Sequence, residues 1–147
     1  MRCASFILIA LAISARAPAQ GDRARELKQL EGTWDVIALE VDGKVQPKEK
    51  APKEILISGN KLNGLGPEMT ITLDPTKKPK WIELAFKKNN KLYPIRAIYE
   101  IKGDELKLCM PLAPRGKVFE NKRPENFDTK VSPVALFTAK RTTKKDK

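Results

Sequence analysis

The fold is decided by the stretch GTWDVIALEV, residues 32–41. From Thr33 onward it is rich in β-branched and apolar residues, which favour a strand. Asp42-Gly43 follows with turn chemistry that tolerates a positive φ. An indole is large and apolar, so a Trp at the start of the first strand is expected to close one end of a sheet or barrel. Residues 32–41 therefore predict the opening strand of a β-domain.

Further strand-like segments recur at short intervals. Residues 69–73, 81–86 and 105–110 alternate between apolar and other side chains, the period-2 pattern of strands with one wet face. A tight turn at 102–104 joins the last of these to the preceding apolar segment and predicts a hairpin. About eight short strands ending at residue 141 predict an all-β antiparallel barrel or sandwich, rather than an α/β fold.

The remaining segments are read as a helix and loops. Asp22 to Leu30 has charges around two leucines, with Asp22 as a possible N-cap and Gly32 as a stop. It predicts a short amphipathic helix within a lead of residues 20–32. Residues 45–52 and 111–133 carry prolines and charges and are expected to be loops, the longer one a lid or an irregular crossing.

The N-terminus predicts export. Arg2 precedes an unbroken apolar run at residues 6–13, and Ala17-Pro18-Ala19 places small residues where a signal peptidase cuts. Cleavage after Ala19 would leave a soluble domain in the periplasm, the cell envelope or outside the cell. The alternative, a membrane anchor, is less favoured because the run is far shorter than the roughly 20 residues of a spanning helix.

Composition removes several classes of activity. The chain has no His, which excludes Ser-His-Asp and Cys-His catalysis and the commonest zinc ligand. We expect no metal, no cofactor and no catalytic motif. Cys109 would be the single cysteine after cleavage and is expected to be a buried hydrophobe. A carboxylate pair is the remaining catalytic possibility, with five candidates by chemistry alone: Glu68, Asp74, Glu83, Glu100 and Asp104.

The chain is also strongly basic. Its formal net charge is +11, an excess that favours anionic surfaces such as envelope polymers or phospholipid head groups. The lysines are dispersed over turns and strands and cluster only near the end, where residues 142–147 predict a flexible basic tail. A solvated basic surface is the simpler reading. Nucleic acid is not expected, because aromatics are not interleaved with arginines.

Several blocks of sequence resemble the planctomycetal lipocalin-like domain family of unknown function. They occur in order over nearly the whole chain after residue 19: LEGTW at 30–34, LEVDGK at 39–44, LDPTKKPK at 73–80, IYE at 98–100, GD at 103–104, LKLC at 106–109 and RPE at 123–125 with Phe127. The resemblance implies an exported, calycin-type barrel with no established activity. In the wider lipocalin pattern the opening Trp pairs with a basic residue on the last strand, which assigns closure of the barrel to Gly32, Trp34 and Arg141.

Candidate ligand contacts lie inside the barrel and in the long loop. Tyr99 and Met110 are candidates inside, and Arg123 and Phe127 in the loop. Arg123 could clamp a carboxylate or phosphate; alternatively it pairs with Glu120 or Glu125 to fix the loop. The expected inward side chains are mostly bulky and predict a largely filled interior, with a small apolar pocket beneath 111–133: Ile57, Met69, Ile71, Leu73, Ile82, Leu84, Phe86, Tyr99, Leu106, Leu108, Met110 and Leu136.

Three hypotheses follow for the function of an expected monomer. The first is a binding module for a small apolar or amphipathic molecule. The second is a structural or interaction protein whose cationic outside contacts an anionic polymer of the cell envelope. The third, disfavoured by the lack of His, is a carboxylate-based hydrolase.

Overall fold

The computed structural model describes residues 20–112 and 120–143. The predicted signal peptide, residues 1–19, and the end of the predicted basic tail, residues 144–147, lie outside the described residues. The described elements are α1 Gln20–Leu30, β1 Gly32–Val41, β2 Lys44–Val45, a 3-10 turn Lys48–Lys50, β3 Glu54–Ser58, β4 Lys61–Asn63, β5 Met69–Asp74, β6 Lys80–Lys88, β7 Lys91–Lys102, β8 Glu105–Pro111 and β9 Val134–Arg141.

The strands form a closed antiparallel barrel. Their order is β2-β1-β3-β4-β5-β6-β7-β8-β9, and β1 also pairs with β9, from Trp34 opposite Arg141 to Val41 opposite Ala135. Because β2 extends only the tip of β1, eight strands close the ring. The predicted all-β barrel of about eight strands with a short N-terminal helix is confirmed. In a closed ring every strand has a strand neighbour on both sides, although β7 pairs with β8 only from Ile98 onward.

Two local predictions need correction. Asp22 lies within α1 and does not cap its start. Residues 45–52 are not wholly a loop, because Lys44–Val45 pairs with the end of β1 and Lys48–Lys50 makes a 3-10 turn. The second error arises because so short a pairing segment gives no periodic signal.

Side chains of the barrel fill its interior. The inward residues of all eight strands are less than a tenth exposed at most positions, and Trp34, Ile55, Leu84 and Ala97 are completely buried. Leu30 and Leu27 of α1 pack against the same cluster and cover one end, here called the base. The base is the end at which β1 begins, and hairpin tips such as residues 88–91 lie at the opposite end.

One predicted inward residue is wrong. Leu136 packs against a second, outer cluster of Ile98, Cys109 and Val134, and Phe137 takes the inward position. Segment 120–133 lies over this side of the wall, so β9 is buried on both faces and its sequence does not alternate. Within the described residues no helix has both the length and the apolar composition needed to cross a membrane.

Candidate functional site

The three residues assigned to closure of the barrel lie together at the base. Trp34 is completely buried, and its indole N–H donates to the main-chain oxygen of Leu30 at 2.8 Å. The Arg141 guanidinium lies 4.2 Å from the centre of the indole ring. It donates to the main-chain oxygens of Glu31 and Gln29, both at 2.6 Å. Arg141 thus joins the last strand to the end of α1 across the face of Trp34.

Gly32 fits this arrangement for two reasons. Its φ of +126° is a conformation that other residues rarely adopt. A Cβ placed on it would lie 3.0 Å from Nη1 of Arg141. The absence of a side chain at position 32 therefore lets the Arg141 guanidinium approach the start of β1.

The four candidate ligand contacts do not come together. Tyr99 and Met110 belong to the inner cluster, and Tyr99 is 1% exposed. Its hydroxyl donates to Glu26 of α1 at 3.2 Å, and Lys80 donates to the other oxygen of the same carboxylate. Burial, followed by the negative charge of Glu26, raises the pKa of Tyr99. Tyr99 thus links the barrel wall to the helix at the base.

Phe127 lies on the outside of the wall. It packs against the outer cluster that contains Cys109. Cys109 is completely buried there, and burial raises the pKa of its thiol to about 12. Both side chains therefore occupy an apolar layer between segment 120–133 and the barrel. Neither presents a reactive group to solvent.

Arg123 is fixed to the barrel wall. Its Nη1 donates to the main-chain oxygen of Ile82 at 3.1 Å and also to that of Ala97, two residues that face each other across β6 and β7. The centre of its guanidinium lies 4.4 Å from the ring centre of Trp81. Among the described contacts, these carbonyls take the place of the predicted partners Glu120 and Glu125.

The two tryptophans of the chain therefore share one arrangement. Each has an arginine guanidinium over its ring, and each of those arginines donates to two main-chain carbonyls. The difference is exposure, since Trp34 is completely buried and Trp81 is 38% exposed. The first pair closes the base. The second pair holds a guanidinium, with its side-chain freedom already restricted, at the surface.

An open groove of about 540 Å³ surrounds this second pair, and we call it the Trp81 groove. It contains four cationic side chains and two carboxylates, so its formal charge is positive. Lys77 lies beside it, with Nζ 4.9 Å from the centre of the Trp81 ring. The lining is Arg23, Thr72, Leu73, Asp74, Trp81, Glu83, Arg96, Lys122 and Arg123.

Strand register places these residues. Trp81 pairs with Asp74 of β5, and Glu83 lies between Thr72 and Arg96. Because side chains alternate along a strand, these rows share the outer face of the barrel, while Ile82 and its neighbours point inward. The side chain of Asn121 holds segment 120–123 beside β7: it donates to Pro94 O at 2.7 Å and accepts from Arg96 N at 2.9 Å.

Two other cavities lie on the surface of the barrel. Beneath segment 120–134, where a small apolar pocket was expected, a groove of about 390 Å³ has seven polar or charged residues among the twelve that line it, although apolar atoms make up more of its surface than polar atoms. A pocket of about 470 Å³, also with more apolar than polar surface, lies between residues 36–39 of β1 and segment 46–53. It occupies the gap above the short β1–β3 ladder, which pairs only residues 32–35 of β1.

Most of the candidate carboxylates have a local partner. Glu68 is 2.9 Å from Lys61, Glu100 is 3.3 Å from Lys102, and Asp104 is 3.7 Å from Arg141. A hydrogen bond from Thr76 lowers the pKa of Asp74, and one from Lys61 lowers that of Glu68. In the part of the chain that the structure describes, no group of three or more Cys, Asp or Glu side chains is placed to hold a metal ion.

Comparisons with protein-family models, with curated proteins and with solved structures found no match. The resemblance to the planctomycetal lipocalin-like family therefore stays a prediction.

Sequence reasoning singled out Arg123 but missed Trp81 and Arg96. One signal was available, because the alternation that turns Ile82 and Leu84 inward turns Trp81 outward. An aromatic side chain on the wet face of a strand is a candidate contact residue, because its ring can bury a large apolar area against a partner.

Proposed function

We propose that this barrel is a non-catalytic binding domain whose Trp81 groove takes a small amphipathic anion, with a carboxylate or phosphate attached to a flat apolar group. The observation that supports this most directly is the position of Arg123, which is held against Trp81 by two main-chain carbonyls at the surface of a cationic groove. The groove has the volume typical of small-molecule sites.

The electrostatics favour an anion. The four cations outnumber the two carboxylates in the lining, and arginine stays protonated even though burial lowers the pKa of Arg123. Only Nη1 of its guanidinium donates in the described contacts. Its other N–H groups could contact a ligand at little cost in side-chain entropy, because the side chain is already held.

The apolar part of the ligand is assigned by Trp81. Trp81 is 38% exposed although Arg123 and Lys77 lie over its ring, and this exposed part gives an apolar group a surface to pack on. Removing the contacting surfaces of the ligand and the indole from water favours association. The filled interior favours a site on the outer face of the barrel, because a small amphipathic anion inside the barrel would displace core side chains.

One less favoured reading concerns the same surface. Asp74 and Glu83 give a carboxylate hydrolase its best location, but the lowered pKa of Asp74 disfavours a general acid there.

The proposal has three further parts: export after cleavage near Ala19, action as a monomer and membership of the lipocalin-like family. They rest on the sequence patterns alone.

The test is isothermal titration of the full chain with 2-naphthyl phosphate, with 2-naphthol and inorganic phosphate as separate half-ligands. We expect saturable binding of the whole probe and weaker binding of either half. The double variant Arg96→Gln/Lys122→Gln should weaken binding about tenfold, since each charge contributes a charge-assisted contact.

The matched control is Lys44→Gln/Lys50→Gln, which removes the same charge from exposed positions outside the groove. Affinity should stay within about twofold in this control, because screening weakens distant surface charges. Equal losses in the two double variants, or equal binding of the probe and inorganic phosphate, would contradict a built site at Trp81.

A further inference from the structure

The hairpin of β6 and β7 reaches beyond the strands on either side of it. Pairing of β5 with β6 ends at Ala85, and pairing of β8 with β7 ends at Ile98. Between these limits the two strands pair with each other as far as Lys88 opposite Lys91. Residues 86–93 therefore form an arm, here called the hairpin arm, that projects at the end of the barrel opposite α1.

The arm has a defined shape. Asn89 and Asn90 both have positive φ values, 50° and 59°, which is the geometry of the tight two-residue turns that match strand twist. Phe86 and Tyr93 face each other across the arm with ring centres 5.4 Å apart and planes 18° apart. Aromatic cross-strand pairs of this kind stabilise a hairpin. The arm can therefore present its side chains in a fixed arrangement.

The surface of the arm combines positive charge with exposed apolar groups. Lys87, Lys88 and Lys91 are all exposed. Leu92 is 60% exposed and Tyr93 is 42% exposed, although both lie among these lysines. No acidic residue occurs between Glu83 and Glu100 in the sequence. The arm has no carboxylate of its own to neutralise the lysines.

We infer that the hairpin arm docks on an anionic lipid surface. Lysines near a membrane are drawn to its acidic head groups, and tyrosine is favoured at the boundary between head groups and acyl chains. Leu92 distinguishes this partner from a soluble polyanion: an aliphatic side chain gains by leaving water for the acyl boundary and gains little from a phosphate chain. The Trp81 groove plays no part in the inference.

The test measures co-sedimentation of the full chain with vesicles made of one part phosphatidylglycerol and three parts phosphatidylcholine. The triple variant Lys87→Gln/Lys88→Gln/Lys91→Gln should bind about a hundredfold more weakly, since each lysine near such a surface contributes about a fivefold factor. The matched control is Lys48→Gln/Lys50→Gln/Lys53→Gln, three exposed lysines in segment 46–53. The affinity of the control for the vesicles should fall much less, because its three lysines are not on the hairpin arm.

The apolar contribution is tested with Leu92→Ser against Val131→Ser, which changes a side chain that is 80% exposed and lies outside the arm. We expect about a fivefold loss for Leu92→Ser, the effect of leaving part of a leucine in water, and a change within about twofold for Val131→Ser. Variants are compared within the full chain, so any contribution from residues 1–19 is common to all of them.

Three results would overturn the inference. One is an equal loss in the two triple variants, which would indicate only net charge. Another is an unchanged affinity for vesicles in Leu92→Ser. The third is binding to soluble polyphosphate that competes fully with vesicles and is insensitive to Leu92→Ser, which would identify an anionic polymer as the partner.

Discussion

Replacing Trp34 tests how the base of the barrel is closed. Trp34→Ala removes a completely buried indole, its 2.8 Å hydrogen bond to Leu30 and the surface on which Arg141 lies at 4.2 Å. Truncating a buried large aromatic side chain to alanine lowers the free energy of unfolding by about 3 to 5 kcal/mol. The unpaired Leu30 oxygen and the lost cation–π contact place the expected loss near the upper end, about 4 to 5 kcal/mol.

Trp34→Phe separates these contributions and guards against a variant that does not fold. Phenylalanine keeps an aromatic ring under Arg141 but cannot donate to Leu30. We expect a loss of about 2 kcal/mol, roughly one for the hydrogen bond and one for the smaller volume.

The matched control is Trp81→Ala, because Trp81 also carries an arginine but is 38% exposed. Trp81→Ala should lower the free energy of unfolding by about 1 to 2 kcal/mol, because it removes a side chain that is only partly buried and leaves no buried cavity. Urea denaturation followed by far-UV circular dichroism gives the free energy of unfolding of each variant. If Trp34→Ala lowers the free energy of unfolding no more than Trp81→Ala does, the assignment of Trp34 to closure of the base is refuted.

Two further predictions concern stability. Gly32→Ala should lower the free energy of unfolding by about 2 kcal/mol, because of its φ of +126° and the 3.0 Å approach of Arg141. The control Gly59→Ala should lower it by about 1 kcal/mol, because Gly59 has a φ of +56° but nothing within 4 Å of the added methyl group. The pKa of Cys109 is raised from 9.0 to about 12, so the folded state holds the thiol proton more tightly. The unfolded state therefore gains stability as pH rises above about 9. The free energy of unfolding should fall between pH 9 and 12, and by less in Cys109→Ala; an equal fall in both proteins would contradict this origin.

Much of the barrel could be predicted because strand patterns are local. The alternation of residues 69–73 and 105–110 predicts which side chains face inward. The structure confirms this prediction, because Met69, Ile71, Leu106 and Leu108 are buried in the core. Residues 134–137 were predicted less well. Val134 and Ala135 are both buried because one faces the outer cluster and the other the interior, a condition set by segment 120–133 and not by the strand itself.

The candidate site was less predictable than the fold. Arg123 was recognised from its own chemistry as a possible anion clamp, but its contact with Trp81 joins residues 42 positions apart in the chain. Whether that contact forms depends on where segment 120–133 crosses the wall. Asn121 helps to fix that crossing through its bonds to the main chain of β7.

Residue type and short-range spacing were enough to predict the all-β class, the alternation of most strands and the absence of His chemistry, whereas the pairing of Trp34 with Arg141 was implied by the resemblance to the lipocalin-like family. Only long-range packing sets three other features. Strand β9 is buried on both of its faces, the Tyr99 hydroxyl donates to Glu26, and Trp81 and Arg123 share an outer groove with Arg96. These are long-range relations: strand register sets which side chains share a face of the barrel, whereas the positions of α1 and of segment 120–133 against the wall set the contacts of Glu26 and Arg123.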